Sequence, residues 1–148
     1  MSATFLTDLE NVALTGAGHV PGTTISTATT TLGTAVDCQA MEGPISGIFL
    51  TGNVGDATLT LQFKLQESDT SGGSYTDIAD GVGSVSTASA SANDNLVTII
   101  TATQRTKRYV KTAIVSAGGG TLSAPVASAV VGRKKIVGSS TGTYTTIP

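Results

Sequence analysis

Residues 57–67 alternate without interruption: Leu59, Leu61, Phe63 and Leu65 are separated by Thr60, Gln62 and Lys64. In a pleated strand successive side chains point to opposite faces, so a period of two predicts a strand with one face buried and the other in water. A strand over 45–51 precedes it across the turn Gly52-Asn53-Val54-Gly55-Asp56. The turn Ser71-Gly72-Gly73-Ser74 then returns the chain into a short strand over 75–79, closing a hairpin. Two further strands are predicted over 96–101 and 107–117, the second with Val110, Thr112 and Ile114 opposed to Tyr109, Lys111, Ala113 and Val115. Gly118-Gly119-Gly120 separates off a strand over 121–131, in which Pro125, lacking an N–H for a ladder, indicates an edge or a bulge. A strand over 32–38 completes the set, and the serine-, alanine- and glycine-rich stretch 81–93 reads as a loop. Short strands divided by glycine turns predict an all-β fold, an antiparallel β-sandwich or jelly roll.

The ends of the chain read differently. Phe5, Leu9 and Val12 are spaced to share one face of a short helix over 4–13, and Gly16-Ala17-Gly18-His19-Val20-Pro21-Gly22 then breaks it. The glycines make this stretch a flexible hinge. Residues 23–36 are threonine-rich and uncharged, which suits a strand or an arm laid along a surface. From Gly132 the chain turns basic and then polar, ending Thr143-Tyr144-Thr145-Thr146-Ile147-Pro148. The expected organisation is an extended N-terminal arm over 1–30, a sandwich domain over 31–132 and an extended C-terminal arm over 133–148, within the length of one ordinary domain.

Composition sharpens this picture. Charged residues make up only 12% of the chain, about half the usual share, so the surface is polar without being charged. Cys38 is the only cysteine, which excludes an intrachain disulfide and leaves stability to packing or assembly. The N-terminus has neither the basic start nor the long apolar run of a secretory signal, and no apolar stretch approaches the ~20 residues of a membrane span. A soluble chain made in a host cytoplasm is expected, with no membrane partner. All ten acidic residues lie at or before Asp94 beside a single base, Lys64, and the other seven bases lie beyond it. Such a separation serves either neighbouring strands of one fold or head-to-tail contacts between copies.

No enzyme is expected. Nucleophilic catalysis by a Ser-His or Cys-His pair would have to use His19, the one histidine, which sits between glycines and reads as a solvated or interface residue in a loop. One histidine and one cysteine cannot supply the usual zinc sets. Glu67, Asp69, Asp77 and Asp80 flank the hairpin, but their spacing does not match a twelve-residue calcium loop, and they read as solvated turn acids. Gly16-x-Gly18-x-x-x-Gly22 lacks the spacing of a dinucleotide loop. Arg105-Thr106-Lys107-Arg108 and Arg133-Lys134-Lys135 could touch phosphates, yet aromatics are only 4% and the pI is about 5.1, which argues against nucleic acid. These bases are expected in solvent or on an acidic protein neighbour. No cofactor or metal is expected.

The run Leu61-Gln-Phe-Lys-Leu-Gln-Glu-Ser-Asp-Thr-Ser-Gly-Gly-Ser-Tyr-Thr-Asp-Ile-Ala-Asp80 resembles a strand, acidic turn and strand unit common in small structural proteins of tailed bacteriophages. In these an "RYV" strand and a small-residue strand follow, as Arg108-Tyr109-Val110-Lys111 and the stretch 124–132 do in this chain. The resemblance covers about residues 45–132. It implies a capsid decoration, or cement, protein: a small β-sandwich or jelly roll on the exterior of the virion, bound where major capsid subunits meet. It also implies a homo-oligomer, a trimer rather than a dimer. The arms, for which it offers no counterpart, are where shell or subunit contacts are expected. Phe5, Leu6, Leu9, Tyr144 and Ile147 would serve as apolar anchors, each contributing ~1.5–3 kcal/mol if fully buried, and Arg133, Lys134 and Lys135 as charged contacts. The alternative is a tail, baseplate or head-fibre sandwich that binds a host-surface glycan.

Overall fold

The computed structural model describes residues 12–19, 23–25, 29–52, 60–87, 96–118 and 124–135. Every regular element among them is a strand: β1 (Val12–Ala17), β2 (Thr23–Ile25), β3 (Thr30–Leu32), β4 (Val36–Asp37), β5 (Met41–Thr51), β6 (Thr60–Ser68), β7 (Thr76–Val82), β8 (Ser86–Thr87), β9 (Leu96–Ala102), β10 (Tyr109–Ala117) and β11 (Ala124–Lys134). The alternation read from the sequence is the burial pattern of the folded chain. In β6, Leu61, Phe63 and Leu65 are buried, with Gln62, Lys64 and Gln66 turned outward. In β10, Val110, Thr112 and Ile114 point into the core.

Two antiparallel sheets face one another. The first runs β1-β11-β5-β9, with β2 also on β11; the second runs β3-β10-β6-β7, with β4 also on β10 and β8 also on β6. After the β6–β7 hairpin the chain changes sheet between β7 and β9, between β9 and β10, and between β10 and β11. This interleaving of two four-strand paths is that of a jelly roll. The core lies between them. Phe49 of β5 meets Phe63 of β6 with ring centroids 5.0 Å apart, and Ile45, Leu65, Ile78, Val110, Ile114, Val126 and Val130 fill the space around that pair. Each such side chain contributes about 1.5–3 kcal/mol by leaving water. Gly47 lets the sheets close, since a Cβ there would come within 2.8 Å of Leu65.

The first sheet begins earlier than expected. Val12 and Ala13 lie in β1, so the described end of the proposed helix over 4–13 is a strand, and the rest of it lies outside the described residues. Residues 12–19 and 23–25 belong to the sandwich and not to an arm, because both β1 and β2 complete the ladder along β11. Arg133 and Lys134 likewise extend β11, leaving only residues beyond Lys135 outside the described sandwich at that end. Pro125 does not mark an edge: β11 has neighbours on both sides, and Pro125 is tolerated at its second residue, where it pairs with Thr24. The true irregularity of that strand falls at Gly132/Arg133, opposite which Gly43 adopts a φ of 68° that glycine accepts without strain. Residues 81–82 and 86–87 of the expected loop are strand.

Candidate interaction surface

The outer face of the first sheet is apolar where a solvated sheet face would carry alternating polar residues. Ile48 of β5 pairs with Ile99 of β9, and Leu50 with Val97 beside them; Ala129 and Ala127 of β11 extend the same two rows on the other side. Ile99 is 63% exposed, Val97 56% and Leu50 45%. One end of this patch is closed by the Ser46 and Thr101 hydroxyls, 2.9 Å apart, and charge begins only at Glu42 and Arg133. Contiguous exposed apolar surface is a common feature of interaction sites, which makes this face the candidate.

The second sheet presents the opposite surface. Lys64 donates to Asp77 at 2.8 Å and Gln66 donates to the other oxygen of the same carboxylate at 2.6 Å. Burial opposes the Asp77 charge, but these two donors outweigh it and hold the carboxyl below its ordinary value. The Lys111 ammonium stands 4.4 Å from the centre of the Tyr75 ring, and the Arg108 guanidinium 5.0 Å from that of Tyr109. These polar groups have one another as partners.

The basic cluster of the sequence is the crossing between sheets, residues 103–108, and acids from the first part of the chain clamp it. Asp80 accepts from the Thr103 hydroxyl and amide and from the Gln104 amide. Glu67, 7% exposed, accepts from the Thr106 hydroxyl and amide and from the Lys107 amide. Burial works against the Glu67 charge, yet those donors together hold its carboxyl below the usual range. Arg108 forks onto Asp37 through Nε and a terminal nitrogen, at 3.0 and 2.6 Å, and Arg105 donates to the Met41 carbonyl. The separated charges of the sequence therefore meet within one fold. The acids expected to be solvated are, for Glu67, Asp77 and Asp80, spent on holding it together. Among the described residues no cluster has the make-up of a metal site.

His19 is buried, not solvated. Its Nε2–H donates to the Thr31 carbonyl at 3.1 Å, which leaves Nδ1 as an acceptor, 2.8 Å from the Ser128 hydroxyl and 3.2 Å from that of Thr112. Ser128 and Thr112 lie 2.8 Å apart on facing sheets, so this cluster ties β11 to β10 through the core. Gly18 and Gly33 make room for it, because a Cβ on either would collide with the Thr112 hydroxyl. The expected hinge at Gly18 is thus a packed position. Burial pushes the imidazole below its ordinary pKa, against the pull of the Thr31 carbonyl, and keeps it neutral. The Ser128–His19 pair has the spacing of a nucleophile and base, but the group orienting the ring is a carbonyl and Ser128 is 5% exposed. Burial also raises the Cys38 thiol to about 11.

Of the contact residues expected from sequence, Phe5, Leu6, Leu9, Tyr144 and Ile147 lie outside the described residues. Arg133, Lys134 and Lys135 are exposed at the end of β11, Arg133 lying 3.8 Å from Glu42. The apolar face was not anticipated. Its signal was present in the unbroken runs Ile48-Phe49-Leu50 and Ile99-Ile100, since a strand apolar on both sides has two faces to cover.

Fold and surface define a class, a jelly-roll domain with one exposed apolar face. No family model matches the chain, and no curated protein matches it. Among solved structures, it is similar to a chain in the structure of infectious bursal disease virus Gx strain, with a TM-score of 0.51 and 13% identity over 82% of this chain and 32% of that one. PBSX exported protein XepA gives a TM-score of 0.48 and 14% identity over 82% and 38%. The Gt strain of the same virus gives 0.49 and 14% over 83% and 32%. The chain spans roughly a third of the length of the chains it matches, and at 13% identity the likeness to the first is one of fold alone.

Proposed function

We propose that this chain is a structural virion protein of the decoration kind, which binds the outer surface of an icosahedral phage head and stabilises contacts between major capsid subunits. The observation that carries this reading is the uncharged apolar outer face of the first sheet. Leu50, Val97 and Ile99 keep about half of their surface in water, so each has on the order of 1 kcal/mol to gain on burial, part of which is lost to the cost of association. Repeated over a shell, modest contacts accumulate, because a subunit held by several neighbours must lose them all to leave. The resemblance carried by Gln66-Glu67-Ser68-Asp69 and Arg108-Tyr109-Val110 supports the phage class. A fold shared with a chain from a virus structure agrees with it. Arg133, Lys134 and Lys135 would add charged contacts at the rim, and Phe5, Leu6, Leu9, Tyr144 and Ile147 apolar ones from the ends of the chain.

Electron microscopy of the parent particle tests this directly, with density for the domain expected outside the shell in hundreds of copies. Absence of the chain from purified virions would end the proposal. A second reading, a tail, baseplate or head-fibre module for glycans, draws on Tyr75 and Tyr109 beside Lys111 and Arg108, since aromatic rings flanked by polar groups suit sugars. Glycan-array binding by the isolated chain, with no affinity for heads, would favour it.

A further inference from the structure

The first sheet ends in β9, on whose outer edge no strand pairs among the described residues. Open edges invite foreign strands, and proteins defend them with charge, proline, bulges or brevity. The other edges of this sandwich carry such defences. The register of β1 shifts between Leu14 and Ala17, β7 bears Asp77 and Asp80 and shifts against β6, and β3 and β4 are three and two residues long. None of these lies in β9 itself, with β7 and Gly83 of the facing sheet packed beside it. Its seven residues, Leu96-Val-Thr-Ile-Ile-Thr-Ala102, contain no charge, proline or glycine, and pair with β5 in unbroken register from end to end.

We propose that the occupant of this edge is β9 of a second copy, paired antiparallel about a two-fold axis at Ile99. An antiparallel strand can meet its own duplicate, because each residue of one copy then faces the residue reflected through the centre in the other. Centring on Ile99 uses the whole strand and sets Val97 opposite Thr101 and Leu96 opposite Ala102 of the second copy. The parity is preserved: buried Ile100 and Ala102 stay on the core side, exposed Val97 and Ile99 on the outer side. A charged edge would repel itself or select an oppositely charged partner, whereas this one does neither. The apolar rows of two copies merge into one face, and the assembly is built in twos where the phage resemblance implies threes. So short a junction buries less than the ~1,200 Å² of a stable interface, so the free pair dissociates readily and is reinforced when both copies sit on one surface.

The full chain tests this in solution, without shells. Ile99→Cys brings two thiols face to face at the axis, at the 4.5–5.5 Å Cα separation that a disulfide spans. Mild oxidation is expected to give a covalent dimer, while Leu32→Cys, at a position 47% exposed on β3, at the end of the other sheet opposite β7, and the wild type with its buried Cys38, stay largely single. Sedimentation equilibrium is expected to show a monomer–dimer equilibrium, weakened tenfold or more by Ile99→Lys and unchanged by Leu32→Lys. Both lysine variants should keep the wild-type melting midpoint, because both positions are exposed. A trimer, a monomer at every concentration, association indifferent to Ile99→Lys, or equal cross-linking at positions 32 and 99 would each overturn the pairing. None of these outcomes bears on whether the apolar face docks on a shell.

Discussion

The two outer faces of the sandwich are built from strands of similar length, yet they solve the problem of facing water in opposite ways. On the second sheet, outward Lys64 and Gln66 of β6 meet Asp77 and Lys111 meets Tyr75, so the surface is complete in the isolated domain. On the first, Ile48, Leu50, Val97 and Ile99 are flanked by one another and by Ala127 and Ala129, and leave apolar area in contact with water. The difference teaches which face has more to gain from a partner. A face whose polar groups are already paired gains little from a partner, because each contact made must replace one broken, whereas an apolar face gains whatever area it hides.

The largest change should follow from charging the apolar face. Ile48→Asp with Leu50→Asp is expected to weaken binding to purified heads by 100-fold or more, since each change replaces an apolar contact by a carboxylate that docking would bury unpaired. Co-sedimentation reads the binding, and a melting midpoint near that of the wild type shows that the fold survives. Retained binding would remove the contrast between the faces. Deleting residues 1–22 comes next, and is expected to destabilise the whole sandwich in urea, because it removes β1 and His19 and strips their partners Ser128 and Thr112. A fully stable truncation would return that segment to the status of an arm. Glu67→Ala should cost about 2–3 kcal/mol by leaving the Thr106 and Lys107 amides without their charged acceptor. Chemical denaturation measures it, and a neutral result would mean that the crossing loop holds itself.

Acid should act in a smaller and graded way. The folded pKa of His19 lies below the unfolded value of about 6.5, so its neutral form contributes stability above that value which is lost as pH falls from it toward the lowered folded pKa. The carboxyls of Glu67 and Asp80 are also lowered, and their contribution is lost on further acidification, from the ordinary carboxylate range down through the lowered folded values. Denaturation midpoints across pH should thus decline in two stages, and His19→Asn should abolish the first. Smallest of all, Lys111→Ala on the second face is expected to change stability by no more than about 0.5 kcal/mol and head binding not at all. A loss of binding there would move the adhesive surface to the other sheet.

Much of the sandwich could be read in advance, and the failures have a common cause. β6 and β10 announced themselves through alternation, a property of neighbouring residues that survives whatever the rest of the chain does. β1 and β2 did not, since threonine and glycine without charge suit an arm as well as a strand, and what makes them strands is β11, more than a hundred residues away in the case of His19 and Ser128. His19 was misplaced for the same reason: a histidine between small residues looks solvated until Thr112 and Ser128 arrive from two sheets to enclose it. The apolar face was half visible in Ile48-Phe49-Leu50, although nothing local told which of the two apolar sides the core would take.

Periodicity and turn chemistry were enough to establish an all-β chain of short antiparallel strands, because each strand's burial pattern is written in its own residues. Which strands become neighbours, which edge stays open and which apolar side is left outside were decided only when the two sheets closed. Those choices rest on pairings between distant segments, whose energies depend on contacts that no local stretch contains.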